Sequence, residues 1–496
     1  MRSENKREKR KKHILPRNIG HGILLMVCML ACTVFLSMML LMDSFPGMYV
    51  LGILGGLALV MLLIIILLNS RREKTKKRKI GAFLAVILII VLGLGSYYMY
   101  STYNLFSTIS AASIQTEDFH VIVLNEERYE TVDDIKGKEL YTTTSKNSRY
   151  KEAKGKLMSE ADVSYNEVED YLAAGHQLVD ESGATHDNGI FVSNTNYEMM
   201  CEEIGSFKES TKIIHTISIE METGDFAKRV DVTKDPFNIY ISGIDTSGSI
   251  GTVARSDVNM IMTVNPETKQ ILLTSIPRDM YLPLHTYGAN DKLTHSGIYG
   301  IQETTATVED WLGIDINYYL RVNFTTLTDV VDAIDGIDVE SEYSFSSSVS
   351  SYSYIAGTNH LSGEAALYFA RERKSLPGGD NERIKNQQRV LTAIIDKLTS
   401  STVILTKYTQ LLEAVGDKMQ TSLSENDISA IVKAQIKDMG TWEITSNSVK
   451  GNGGMMETYS MPGRYLSVQV PEDESVTEAQ KQISQVMYPV TETVEE

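Results

Sequence analysis

Apolar positions are spread unevenly along the chain. Three runs, 22–42, 48–68 and 80–100, are each 21 residues long and hold no Asp, Glu, Lys or Arg. At 1.5 Å per helical residue each extends about 31 Å, enough to cross a hydrocarbon core of about 30 Å. A buried core helix is the alternative reading of any one such run, but three within one hundred residues predict membrane spans. A cleaved signal peptide fits poorly, because the first run is too long for an h-region and two more follow.

After the third run the pattern changes to short strand-like and helical segments. HVIVLN (120–125) and KIIHTISIEM (212–221) read as strands, with helical stretches around 150–174 between them. Farther on, FNIYISGID (237–245) is apolar at alternate positions, and DVNMIMTVN (257–265) and KQILLTSIP (269–277) flank the turn-rich NPET, which predicts a β-hairpin. Helices are expected at 305–312, 325–334, 363–370, 382–399 and in the stretch to Gln420. The serine-tyrosine run 341–354 reads as a flexible or edge segment, and 491–496 as a disordered acidic tail. Strands mixed with helices indicate an α/β class. The expected organisation is a basic tail (1–20), three transmembrane helices (21–100), a linker (101–116), an α/β accessory domain (117–230), a mixed-sheet α/β domain flanked by helices (234–489) and a tail (490–496). Within the accessory stretch, ETVDDIKGKEL (130–140) resembles the opening of one lobe of a periplasmic solute-binding domain, over about a dozen residues and without a ligand motif.

Charge sets the orientation. Residues 1–18 hold eight Lys or Arg and 71–79 hold seven, whereas the connector 43–47 holds none and one acid. Basic flanks stay in the cytoplasm. The N-terminus is therefore expected inside and everything after Ser101 outside. That outer part carries 32 basic and 60 acidic residues, a net of −28. Such a surface repels nucleic acid, whose binding depends on phosphate neutralisation, so an anion site there must be a local exception. Cys28 and Cys32 lie in the first span and Cys201 stands alone outside, which leaves no internal disulfide.

Candidate chemistry gathers in two places. A hairpin turn centred between Glu267 and Thr268 sets Asp257 opposite Arg278 at the open end, where Asp245, closing the preceding strand, could join them. This is either a combined cation-and-anion site or a salt bridge that clips the hairpin. In ALYFARERK, Arg371 and Arg373 are two apart and point the same way if extended. In GGDNERIKNQQR, Asp380, Arg383 and Gln387 share one face of a helix. A solvated charged face is the alternative, although the apolar AALYFA beside it argues for burial. If Arg278, Arg371, Arg373 and Arg383 converge, a pyrophosphate balances them, since arginine forks match phosphate oxygens. Carboxylates beside a diphosphate call for Mg²⁺, which binds one or two carboxylates plus substrate phosphates. No Cys/His cluster suggests zinc, and the lone His295 reads as structural.

The segments GIDTS, ARSDVNMIMTVNP, LLTSIPRDMYL, KLTHSGIYG, LRVNF, VVDAIDGIDVE, HLSGEAALYFARERK and DNERIKNQQRVL resemble, in order and spacing, the LytR-CpsA-Psr family over about 235–399, more weakly to Pro489. The three-span anchor looks like the CpsA branch, tied to capsule or other surface polysaccharide. The resemblance implies that Asp245 and Asp257 bind Mg²⁺, that Arg278, Arg371, Arg373, Arg383 and Gln387 contact pyrophosphate, and that Asp380 orients Arg383 or acts as base. It implies an enzyme with an apolar lipid tunnel that moves a glycopolymer phosphate, capsular or teichoic-acid-like, from a polyprenyl-pyrophosphate carrier to peptidoglycan, with the polysaccharide-assembly machinery as a candidate partner. DAIDG stands where the family usually has DALGG, and VNM where it usually has TxM. A non-catalytic polyprenyl-phosphate-binding regulator or scaffold and a pyrophosphatase are the alternatives. A transcription regulator is disfavoured, because the expected cytoplasmic parts are too small for a DNA-reading fold.

Overall fold

A computed structural model describes residues 19–42, 47–70, 75–110, 114–126, 128–144, 147–222, 224–244, 250–400 and 402–489. The basic tail to residue 18, the acid-bearing connector 43–46, the start of the second basic segment, Asp245 and the C-terminal tail lie outside these residues. The chain divides into two compact units, one of residues 1–107 with 425–440 and one of 108–424 with 441–496.

The first unit holds α1 (Ile19–Met42), α2 (Gly47–Leu68) and all but the last three residues of α3 (Thr75–Ser110), each helix containing a stretch long and apolar enough to cross a membrane. Leu25, Cys28, Ile64, Leu68, Ala85 and Leu92 pack together between them, while Leu30, Leu51 and Phe83 face outward. The described part of the basic segment 71–79 is helical. Lys76, Lys77, Arg78 and Lys79 lie in the opening of α3, and Arg78 Nε donates to Leu68 O at 3.2 Å, capping an orphan carbonyl of α2. The expected linker is helical to Ser110, and a strand begins at Ile114. Residues 425–440 group with this unit, so the stretch 234–489 is interrupted there.

The second unit contains two sheets. The first comprises β1 (Ile114–Leu124), β2 (Glu139–Thr143), β3 (Ser164–Val168), β4 (Gly189–Ser193) and β5 (Thr211–Glu222) in the order β3-β2-β4-β1-β5. β2 is parallel to both β3 and β4, and β1 is antiparallel to β4 and β5. Helix α4 (Ser148–Ala161) follows β2, and α5 (Asn194–Glu203) follows β4. β1 sends Phe119 and Val121 into one core and Ile122 and Leu124 into another. Both faces of the sheet are therefore covered.

The second sheet contains β6 (Phe237–Ile244), β7 (Ser256–Asn265), β8 (Gln270–Ile276), β9 (Tyr318–Asn323), β10 (Met419–Thr421) and β11 (Glu443–Ser448) in the order β10-β9-β6-β7-β8-β11. The predicted hairpin register is the observed one, with Asn259 opposite Ile276. The alternation in β6 predicted one buried face, yet all eight residues are buried. Its polar positions survive because each is partnered: Thr263 Oγ1 donates to Asn238 Oδ1 at 2.7 Å, and Ser242 Oγ lies 2.7 Å from Ser256 Oγ. On this sheet a core forms around Tyr240, Leu272, Val308 of α6 (Ile301–Leu312) and Ile483 of the helix Asp473–Met487. A separate helical core joins α7 (Phe324–Ala333), α8 (Gly363–Arg371) and α9 (Asp380–Ser400) through Val331, Phe369, Val390 and Ile394. The stretch expected to be helical up to Gln420 breaks into short helices and ends as β10. The serine-tyrosine run forms a small hairpin, Phe345–Ser346 against Ser353–Tyr354.

Candidate active site

β6 and β7 pair regularly until Gly243 meets Val258. The next pair is Ile244 with Ser256, which leaves Asp257 as an extra, unopposed residue. This is a β-bulge, the device by which a strand re-aims one side chain. Glycine is needed at 243, since a Cβ there would stand 2.7 Å from Val258 Cβ. The bulged Asp257 meets Arg278, two residues beyond β8, with Nη1 donating to Oδ1 at 2.8 Å. Thr294 Oγ1 donates to the same oxygen at 3.3 Å.

Asp257 and Arg278 open onto a cavity of about 240 Å³ that is also lined by Arg371, Arg373, Arg383 and Gln387. Arg371 is the last residue of α8 rather than part of an extended segment, and its guanidinium lies over the Phe324 ring at 4.2 Å. Between the two arginines Glu372 turns inward and is buried. Its Oε1 accepts the backbone N–H of Arg373 and of Ser375, both at 3.0 Å, and its Oε2 that of Ser348 at 2.6 Å. Burial alone would raise the Glu372 carboxyl, but the donors on Ser375 and Ser348 outweigh it and hold the group below the usual carboxylate range. With Glu372 anchored, both flanking arginines face the cavity.

Arg383 and Gln387 lie one turn apart on α9 and both line the cavity. Asp380 opens that helix and pairs with Arg383 Nη2 at 2.6 Å. Burial pushes the Arg383 guanidinium below its ordinary value; Asp380 and Asp257 counter this, while Arg278 and Arg373 add to it. Arg278 and Arg373 are thus close enough to Arg383 to repel it in a partly dry site, which is the condition a bound polyanion relieves. Asp245 lies outside the described residues. The other seven expected site residues come together, six on the cavity wall and Asp380 behind Arg383.

Five contributors were not singled out from sequence: Val258, the neighbour of Asp257, and Phe324, Ser348, Val349 and Lys374 all line the cavity. Phe324 closes the segment LRVNF, and Lys374 follows the two arginines directly, so both stood beside motifs already marked. Nothing local marks Ser348 and Val349, which belong to the run read as flexible or edge. His295 is buried between two partners on one nitrogen, with Nδ1 2.7 Å from Asp291 Oδ1 and 2.9 Å from Ser460 Oγ. A relay needs both ring nitrogens, so this array is a clamp that holds the 459–461 turn, reinforced by Ser460 N donating to Asp291 Oδ2 at 2.8 Å.

The model of the LytR_cpsA_psr family matches residues 202–482, a span that includes every residue of this cavity. The chain belongs to the LytR-CpsA-Psr family. Among its relatives is the polyisoprenyl-teichoic acid–peptidoglycan teichoic acid transferase TagU of Enterococcus faecalis, 35% identical over 48% of this chain and 79% of that protein. TagU of Bacillus subtilis is 34% identical over 49% of this chain and 80% of its own length. The crystal structure of B. subtilis TagV superposes with a TM-score of 0.43 at 28% identity, covering 51% of this chain and 98% of that one. In this chain a mixed α/β sheet carries flanking helices, and three apolar N-terminal helices are long enough to span a membrane.

Proposed function

We propose that this LytR-CpsA-Psr protein is a membrane-anchored phosphotransferase that moves a glycopolymer phosphate from a polyprenyl-pyrophosphate carrier to a hydroxyl of peptidoglycan. One observation carries the reading: Arg278, Arg371, Arg373 and Arg383 converge around Asp257 in a single cavity, on a chain portion whose net charge is −28. Four guanidiniums suit the geometry and charge of a diphosphate. The basic flanks of the apolar helices support a cytoplasmic N-terminus and a cavity on the outer side. The relatives' transferase activity supports the same reaction class.

The wall hydroxyl attacks the phosphorus that bears the glycan. A new phosphoester bond forms, the bond to the bridging oxygen breaks, the hydroxyl proton passes to solvent water, and polyprenyl phosphate departs with the electron pair. Arg371 and Arg373 bind the phosphoryl oxygens, and Arg278 and Arg383 stabilise charge that grows on the leaving phosphate. Asp380 orients Arg383, the role its 2.6 Å ion pair supports. Gln387 donates or accepts at the cavity wall. Among the described residues no group of three or more His, Cys, Asp or Glu could form an all-protein metal cage. The donor set fits Mg²⁺ nonetheless, because this ion takes one or two carboxylates and completes its shell with phosphate and water. Asp257 would hold it, with Asp245 as the second acid the sequence offers. When bound, the ion would neutralise diphosphate charge.

The test is release of polyprenyl phosphate and coupling of glycan to peptidoglycan by the full chain in detergent or bilayers, supplied with a lipid-linked glycan. Turnover is expected from the native protein and not from Arg371→Ala or Asp257→Ala. Turnover that survives both substitutions would overturn the assignment. Release of polyprenyl phosphate without coupling would make the protein a pyrophosphatase instead.

A further inference from the structure

A second cavity, of about 580 Å³, lies at the carboxyl ends of β2 and β4. These neighbouring strands are parallel. The chain leaves β2 through α4 toward β3 on one side of the sheet, and leaves β4 through α5 toward β5 at the other edge. The connections part between them, and open α/β sheets bind ligands in the crevice at such a switch point. Thr143 and Thr144 from the β2 end and Ser193, Thr195 and Asn196 from the β4 end line the cavity. Another part of the wall is the tip of the hairpin formed by strands Gly451–Thr458 and Met461–Pro471, contributing Ser460 from its turn and Met461 and Arg464 from the strand that follows, with Tyr299 also lining. That turn is fixed by Asp291 and His295.

The lining chemistry differs from that of the arginine cavity. Hydroxyl and amide side chains dominate, with Tyr171 and Tyr299 as aromatic surfaces. Three carboxylates, Glu117, Glu169 and Asp170, face one lining cation, Arg464; Glu117 is already paired with Arg149 at 2.5 Å. This balance disfavours an anion and suits a neutral, hydroxyl-rich ligand whose groups can bond to carboxylates and amides while its faces rest on aromatic rings. The volume lies in the range of about 300–1,000 Å³ typical of small-molecule sites.

The two cavities also share neighbouring residues through a third. A small cavity of about 50 Å³ shares Arg278 with the arginine cavity and Met461 with the large one. We propose that the cavity at the β2 and β4 ends binds an uncharged oligosaccharide, whose chain continues past Met461 to Arg278. Its role in transfer rests on the phosphotransferase reading; the binding itself does not. The sugar could be the wall acceptor or the part of the polymer nearest its diphosphate.

The experiment measures binding to the full chain in detergent, using a neutral β-1,4-linked N-acetylglucosamine tetramer, a neutral tetramer released from the lipid-linked polymer, and inorganic pyrophosphate. Thr144→Trp, at an exposed position, fills the cavity, and Asn196→Ala removes an amide from it. Saturable binding of at least one tetramer is expected, weakened at least tenfold by both variants, with pyrophosphate binding unchanged. The N-acetylglucosamine arm identifies the site with the acceptor and the polymer arm with the donor. Arg371→Ala is expected to weaken pyrophosphate binding and leave tetramer binding intact. No saturable binding of either tetramer, or binding that neither variant alters, overturns the proposal. Loss of the pyrophosphate effect alone overturns the transferase reading and leaves the sugar site standing.

Discussion

The carboxylate of Glu372 accepts the backbone N–H of Ser348 at 2.6 Å, linking the segment between two site arginines to the serine-tyrosine hairpin. The same carboxylate receives two further backbone donors. Glu372→Gln keeps the volume but turns an amide N–H₂ toward an N–H donor. Hydrogen bonds to a charged group contribute about 1.5–3 kcal/mol each, so the 345–354 hairpin is expected to loosen. Hydrogen exchange there should accelerate, with at least a tenfold fall in transfer rate while the global fold persists.

Arg371 stacks on Phe324 as well as facing the cavity. Lysine preserves its charge but neither the planar fork nor the stacking surface. Arg371→Lys is expected to lower kcat/KM at least tenfold, and Phe324→Leu by a smaller factor. Steady-state kinetics with a lipid-linked glycan checks the order; equal activity of Arg371→Lys and the native protein would remove the bidentate role.

Asp257 and Arg278 are both partly buried and in direct contact. A double-mutant cycle with Asp257→Asn and Arg278→Gln, read by urea denaturation, is expected to give a coupling of about 1 kcal/mol. Each single substitution should abolish transfer despite this modest stability effect. Activity that follows stability instead would reduce the pair to a hairpin clip.

Burial pushes the His120 imidazole below its ordinary value of 6.5, although hydrogen bonding to Asn194 and the charge of Asp118 partly restore it. The unfolded chain therefore takes up a proton as pH falls through about 6.5, while the folded chain resists until lower pH. Stability contributed by this site is complete above that value and declines on acidification through the interval down to the folded value. His120→Asn is expected to flatten the dependence of urea stability between pH 7.5 and 5. An unchanged slope would exclude His120 as its source.

Sequence and structure agree where local pattern dominates. The hairpin's opposed ends follow from turn position alone, and Asp380, Arg383 and Gln387 share a face because helical spacing puts them there. Phosphate-matching chemistry was legible because arginines are rare on a surface so acidic. Other features depend on contacts remote in sequence. The bulge at Asp257 is a mismatch between two strands, which neither strand encodes by itself. Ser348 enters the site because Glu372 binds its amide from 24 residues away. The alternation of β6 misleads because buried hydroxyls and amides partner one another across strands. The large cavity was invisible for the same reason, since its walls come from β2, β4 and a turn near residue 460.

The bulge gives Asp257 an unusual sensitivity to count. In a regular ladder each side chain keeps its face so long as polarity alternates, and a single substitution alters one contact. Here the position exists only because β7 carries one residue more than β6 across from it. Deleting any one residue between Ser256 and Val258 would let the ladder close without interruption, as would an insertion opposite them in β6. The strands would still pair and the core beyond Asn259 could remain, but no side chain would be delivered to Arg278 from that edge. Length variation of a single residue at this point is thus a route to a folded chain without its site, one that comparisons of residue type alone would overlook.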